Sequence, residues 1–206
     1  GRRRAGMIPY SITKEELNEL PLGQFDGEIF MIDHPDQVEE AVDFLEDQSI
    51  IGFDTETKPA FRKGQFNPVA LLQLSTPHQA FLFRLNKIGF PDSLRSLLEK
   101  ENVVKVGAAV HDDLKGLRKL TDSFFPKSFF DLNDELKKVG FHNVGVRNLC
   151  GMVLKIRISK SEQVSNWEAE NLTEKQQRYA ATDAWACLEV FQVLKNEGYL
   201  DPLLNR

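Results

Sequence analysis

The chain is short of several things, and each shortage closes off a class of protein. No apolar run approaches the ~18 residues that a membrane-spanning helix needs, so no membrane partner is expected. The charged start, GRRRAGM, has no apolar stretch behind it and does not resemble a secretory signal. Residues 1–6, ahead of Met7, read as a non-native addition and are set aside. Only two cysteines occur, Cys150 and Cys187, both inside apolar helical patterns and without C-x-x-C spacing. Buried, reduced thiols are therefore expected, in an intracellular protein that is cytoplasmic or, in a eukaryote, nuclear. Basic excess is missing too: the formal net charge of −5 is unlike that of most nucleic-acid binders. Repeats and low-complexity tracts are absent, and no obligate protein partner is evident.

What is present fits one globular domain over residues 7–206, since 206 residues suffice for one sizeable core but not comfortably for two. Residues 13–20 read as a short helix stopped by Pro21. Residues 28–33 read as a strand, followed by a helix over 35–47, so that 7–48 forms an N-terminal strand-and-helix region packed on the domain. SIIGFDTE (49–56) is an apolar run ending in acids, as in a buried strand whose tip reaches a site. Residues 56–68, with two prolines and a glycine, form a loop. VALLQLST (69–76) and QAFLFRL (79–85) are strand-like and separated by Pro77 and His78, which predicts a hairpin. A helix is predicted near 92–100, a second buried strand at 103–110, and a helix from Asp112 or Asp113 onward. A brief strand at 129–132, helices after it and over 146–155, and a loop at 159–167 follow. The last helix runs from a cap at Thr173 to a stop at Gly198. This order predicts an α/β fold with a mixed central sheet, an antiparallel hairpin plus parallel strands, flanked by helices.

Acidic residues carry the chemistry. Asp54 and Glu56 are two apart at a strand end, so both leave the same face. Adjacent carboxylates repel and desolvate badly, and a cation between them relieves both. Tyr179 and Asp183 are four apart on a helical segment and share a face, and Ala180, Ala181 and Ala184 would let that helix lie close to a sheet. Asp113 follows the strand at 103–110, where open α/β sheets place their ligands. Asp112 competes with it, although at a helix start it would serve more naturally as a cap. Each pair alone is a weak signal, because surface strands and solvated helices carry such pairs constantly. Acids on three separate segments, ordered so as to meet, are a stronger one. Hard cations such as Mg2+ take oxygen ligands, and two of them about 4 Å apart can hold the attacking and leaving oxygens of a phosphodiester in line. Two divalent cations would also cancel four carboxylate charges, which softens the objection from net charge.

IGFDTE, KVGAAVHDDLKGL and LTEKQQRYAATDAW, in that order, resemble the three motifs of the DEDDy 3′-5′ exonucleases, in the ribonuclease D and Werner-syndrome exonuclease branch. KSEQVSNW ahead of the last motif and VALLQL after the first are similar to that branch as well, so the resemblance spans about 50–195. It implies a ribonuclease H-like fold and hydrolysis from the 3′ end of DNA or RNA, single-stranded or frayed, with Mg2+ or Mn2+. It implies that Asp54, Glu56 and Asp183 bind one metal, and that Asp54 with Asp113, directly or through water, meets a second. Asp113 rather than Asp112 has the motif's spacing, six residues after Gly107. Tyr179, where a sister group has histidine, would hydrogen-bond the nucleophilic water.

Substrate contacts are sought in two loops. Phe61 and Phe66, with Arg62 and Lys63 between them, make an aromatic and basic loop beside the first motif that could rest on the 3′-terminal nucleotides. Asn166 and Trp167 precede the catalytic helix, and Trp167 could stack a base, shape the pocket or anchor the core. The basic stretch KIRISK, with Arg147 ahead of it, is a weaker phosphate candidate. An adaptor that has lost its chemistry would be expected to lack at least one of the five residues, and none is missing. A phosphatase using FDTET leaves Tyr179 and Asp183 without a task. A proofreading subunit of a larger complex would share the chemistry and differ in partners.

Overall fold

The computed structural model describes residues 8–204, so the reading of residues 1–6 falls outside it. Six strands form one mixed sheet in the order β1-β4-β3-β2-β5-β6. They are β1 Glu28–Ile32, β2 Ile50–Thr57, β3 Val69–Ser75, β4 Gln79–Arg84, β5 Val104–Gly107 and β6 Phe129–Asp131. The predicted hairpin is β3–β4, and β2 pairs antiparallel with β3 on its other side. β5 and β6 extend the sheet in parallel beyond β2, and β1 pairs parallel with β4 at the opposite edge. The N-terminal region thus contributes a sheet strand as well as helices packed on the domain. β5 is shorter than the apolar run at 103–110 suggests, because the chain leaves the sheet after Gly107.

Helices cover both faces. α2 (Val38–Glu46) and α4 (Asp92–Leu98) bury Val38, Val42, Leu45, Leu94 and Leu97 against Ile51, Phe53, Leu72 and Leu74. Strand alternation turns the residues between those, Gly52, Asp54 and Glu56 of β2 and Gln73 of β3, to the opposite face. The 23-residue α8 (Glu174–Asn196) crosses that face. Its start is fixed by the predicted cap: Thr173 accepts from Gln176 N, and the Gln176 side chain accepts from Thr173 N, a reciprocal capping box. Among the described residues no helix is long and apolar enough to cross a membrane.

The helix predicted at 146–155 is two pieces. α7 (Val146–Leu149) runs into a wider, π-type turn over Cys150–Leu154, which ends at Lys155 in the left-handed region with φ 60°. Cys150 and Cys187 are both buried, and burial pushes the Cys150 thiol up to about 12.

Gly52 sets how close α8 comes to β2. A Cβ on residue 52 would collide with the backbone carbonyl of Ala184, next to Asp183. Neither strand nor helix backbone can yield as a flexible side chain would. Gly52→Ala is therefore expected to cost about 1–3 kcal/mol of stability, the usual scale of overpacking. Urea unfolding checks it, and an unshifted midpoint would contradict the packing described.

Candidate active site

The strand end and the helix face meet at the carboxyl end of β2. Asp54 and Glu56 project from one face of the strand, and Asp183 comes down on them from α8. Carboxylate oxygens of these three residues all lie within 4.8 Å of one another. Asp183 is buried, and its Oδ1 has no hydrogen-bond partner. A buried carboxylate oxygen with no hydrogen bond, clustered with two further carboxylates, suits a hard cation with oxygen ligands.

Asp113 stands beside this trio rather than in it. It belongs to α5 (His111–Arg118), which packs on the other face of the sheet through Leu117. The Thr55 hydroxyl, on that same face of β2, donates to Asp113 Oδ1. The two adjacent acids differ in setting: Asp113 is half-buried against Thr55, whereas Asp112 is exposed. Asp112 is not a cap, because α5 begins one residue before it and has no side-chain cap. Asp131 takes that part instead, accepting from Ala109 N at 2.9 Å and Val110 N at 3.0 Å. These bonds hold Ala109 at φ 56°, a left-handed conformation that alanine adopts only under constraint.

Burial is the first cause of the acids' perturbed ionisation. It raises Asp54 and Glu56 well above the usual carboxylate range, with mutual repulsion adding to it. Asp183 rises to about 7 although the nearby Arg147 charge and a Tyr179 hydrogen bond oppose the rise. Asp113 rises to about 6 despite the Thr55 bond, with Asp112 and Asp131 adding to the effect of burial.

Two residues at this centre carried no strong sequence signal. Gln73, opposite Asp54 in the β2–β3 register, donates to Glu56 Oε2 and to the Ala180 carbonyl, both at 3.2 Å. It ties Glu56 to α8. Arg147 donates to Tyr179 Oη at 3.0 Å and to the Ser159 carbonyl at 2.8 Å, with the same nitrogen 3.7 Å from Asp183 Oδ1. The sequence offered Arg147 only as a neighbour of a basic stretch. The Tyr179 hydroxyl is raised in pKa, by burial first and then by the charge of Asp183.

The substrate-loop candidates divide. Trp167 is fully buried and stacked on Tyr179, with ring centroids 5.9 Å apart, so it shapes the wall behind Tyr179 and cannot stack a base. Asn166 accepts from Glu168 N at 3.0 Å, and its carbonyl accepts from Gln176, so it braces the turn before α8. Arg84, buried in β4, holds the same turn through the carbonyls of Trp167, Ala169 and Glu170. Phe61, Arg62 and Lys63 are exposed on the loop beside Glu56, and Phe61 is 84% exposed.

Residues 29–198 match a family model described as 3′-5′ exonuclease. The chain belongs to the 3′-5′ exonuclease family. It is 34% identical over 163 residues to the bifunctional 3′-5′ exonuclease/ATP-dependent helicase WRN of Mus musculus, covering 75% of this chain and 11% of that protein. It is 33% identical over 149 residues to ribonuclease D of Pseudomonas paraeruginosa, covering 71% of this chain and 39% of that enzyme. The chain thus spans a minor part of either relative. Among solved structures, the Nibbler EXO domain of Aedes aegypti superposes with a TM-score of 0.78 at 24% identity, over 88% of this chain and 94% of that one. Escherichia coli RNase D gives 0.75 at 23%, over 84% and 46%. These family neighbours bear out the ribonuclease H-like fold.

Raised carboxylates make stability fall as pH rises. Between the unfolded value of 3.8 and the folded values of about 6 for Asp113 and about 7 for Asp183, the folded chain holds more protons than the unfolded one. The metal-free protein should therefore lose melting temperature from about pH 4 to pH 7. Mn2+ at pH 7.5 should restore at least about 2–4 °C, the shift that 1 kcal/mol gives at this size. A melting temperature that is flat with pH and indifferent to Mn2+ would contradict this account of the cluster.

Proposed function

We propose that the chain is a DEDDy-type exonuclease that removes 5′-mononucleotides from the 3′ end of a DNA or RNA strand, single-stranded or frayed, with two Mg2+ or Mn2+ ions. The observation that carries this reading is the convergence of Asp54, Glu56 and Asp183 within 4.8 Å, with Tyr179 one helical turn before Asp183. The family generally uses divalent metals, and the donor set here is all oxygen. Asp54, Glu56 and Asp183 would hold one cation, and Asp54 with Asp113, directly or through water, the other. Bound there, such ions lower the pKa of an attacking water and offset charge on the phosphate.

The residues themselves do the rest. Tyr179 holds the water through its hydroxyl, which Arg147 keeps in place. Gln73 fixes the carboxylate of Glu56. Water attacks phosphorus and gives up a proton to solvent, the bond from phosphorus to the 3′ oxygen of the preceding nucleotide breaks, and that oxygen takes up a proton from solvent. Phe61, Arg62 and Lys63 are exposed where the 3′-terminal nucleotides could rest. Asn166 and Trp167 serve the site by bracing the start of α8 and backing Tyr179.

A 5′-labelled single strand should shorten stepwise in Mn2+ and stay intact in EDTA. Tyr179→Phe should slow the reaction roughly 10²–10³-fold, the scale of losing one aligned hydrogen-bonding group, and Asp54→Ala should slow it more. Undiminished degradation by Asp54→Ala, or release of anything other than mononucleotides, would sink the proposal. Running matched DNA and RNA strands in the same assay assigns the sugar preference.

A further inference from the structure

The acidic cluster has two flanks. Tyr179 and Arg147 lie on the α8 side of the sheet. On the α5 side is an open groove of about 540 Å3 whose lining includes Thr55, Phe66, Asp113, Lys115 and Lys119. Phe66 is 82% exposed, and Lys119 Nζ sits 5.4 Å from the centre of its ring. Lys115 on α5 and Lys119, the residue that closes that helix, are four apart and lie on the same side. Among the described residues neither lysine has an ion-pair partner, and one exposed carboxylate, Asp112, stands at the mouth against them.

The groove is built rather than incidental. Gly116 lies between the two lysines, and a Cβ there would meet Val69 Cγ2 at 2.6 Å, so α5 sits directly on the start of β3 and closes the floor. The loop carrying Phe66 is pinned by Asn67, whose Nδ2 donates to the carbonyls of Lys58 at 2.9 Å and Pro59 at 3.2 Å. An apolar ring in water beside two unpaired cations, contiguous with Asp113, complements a base and its adjoining phosphates.

In-line displacement gives the groove its place. The attacking and departing oxygens lie on opposite sides of phosphorus. Tyr179 marks the side of the water, so the departing oxygen leaves toward Asp113 and α5. That oxygen is the 3′ oxygen of the strand that remains. We propose that this groove carries the single strand upstream of the scissile bond, with Phe66 stacking a base and Lys115 and Lys119 neutralising phosphates. The assignment rests on the exonuclease reading and adds a direction to it.

The test is binding by fluorescence anisotropy, with Asp54→Ala in the full chain to prevent cleavage and labelled single strands of two and eight nucleotides as probes. Phe66→Ala should weaken octamer binding about tenfold, a typical stacking loss. Phe66→Trp, which keeps a stacking face, should restore it. Replacing both Lys115 and Lys119 by Gln should shrink the slope of log affinity against log salt by about 1.4, from two contacts of roughly 0.7 each. Dinucleotide binding should change less than twofold throughout, because a dinucleotide is too short to run along the groove. Equal losses on both lengths, or an octamer affinity and salt slope like the parent's, would overturn the assignment. If the wild type still shortens strands in that event, the exonuclease reading survives. A wild type that shortens none overturns both.

Discussion

Everything at the candidate active site depends on the close approach of one helix to one strand. α8 meets β2 where Gly52 has no side chain and where alanines line the helix, and this brings Asp183 down on Asp54 and Glu56. Three carboxylates forced together in a recess work against folding, since each resists losing its water and each repels the others. The rest of the molecule offsets that cost. The capping box at Thr173, the Arg84 grip on the preceding turn and the wholly buried Trp167 all fix where α8 begins. Much of the fold therefore holds an unfavourable charge arrangement in register until something positive relieves it.

The main acids were legible in the sequence because their spacing obeys backbone periodicity. Two residues apart on a strand and four apart on a helix each mean one face. The sheet's mixed character could be read from the short 76–78 connection and from the later alternation of helix and strand. Gln73 was not legible as a partner of Glu56, because that depends on its register opposite Asp54, which no local pattern records. Arg147 was hidden for a similar reason: it points at Tyr179 through a short helix that passes into a π-type turn, where regular helical spacing fails.

Asp131 shows how a local rule can name the right role and the wrong residue. A cap at the strand-to-helix turn was expected of Asp112, the nearest acid in sequence. The structure draws it from the end of β6, twenty-two residues beyond Ala109. Because Asp131 also accepts from Asn133 N at the start of the helix Leu132–Lys138, one carboxylate joins two helix starts to the parallel part of the sheet. Trp167 teaches the converse. The sequence leaves it open as a base stacker, a pocket wall or a core anchor, and its complete burial makes it the wall on which Tyr179 leans.

The contact between Arg147 and Tyr179 sets a polarity. A guanidinium has no lone pair to offer and stays charged throughout the range in which proteins fold. The Tyr179 oxygen must therefore accept from Arg147, and its single hydrogen is left to point elsewhere, toward Asp183 or whatever enters between them. A phenol in water donates and accepts without preference. Here the ambiguity is gone before any substrate arrives, and the site has a hydrogen-bond donor of fixed direction beside its acids.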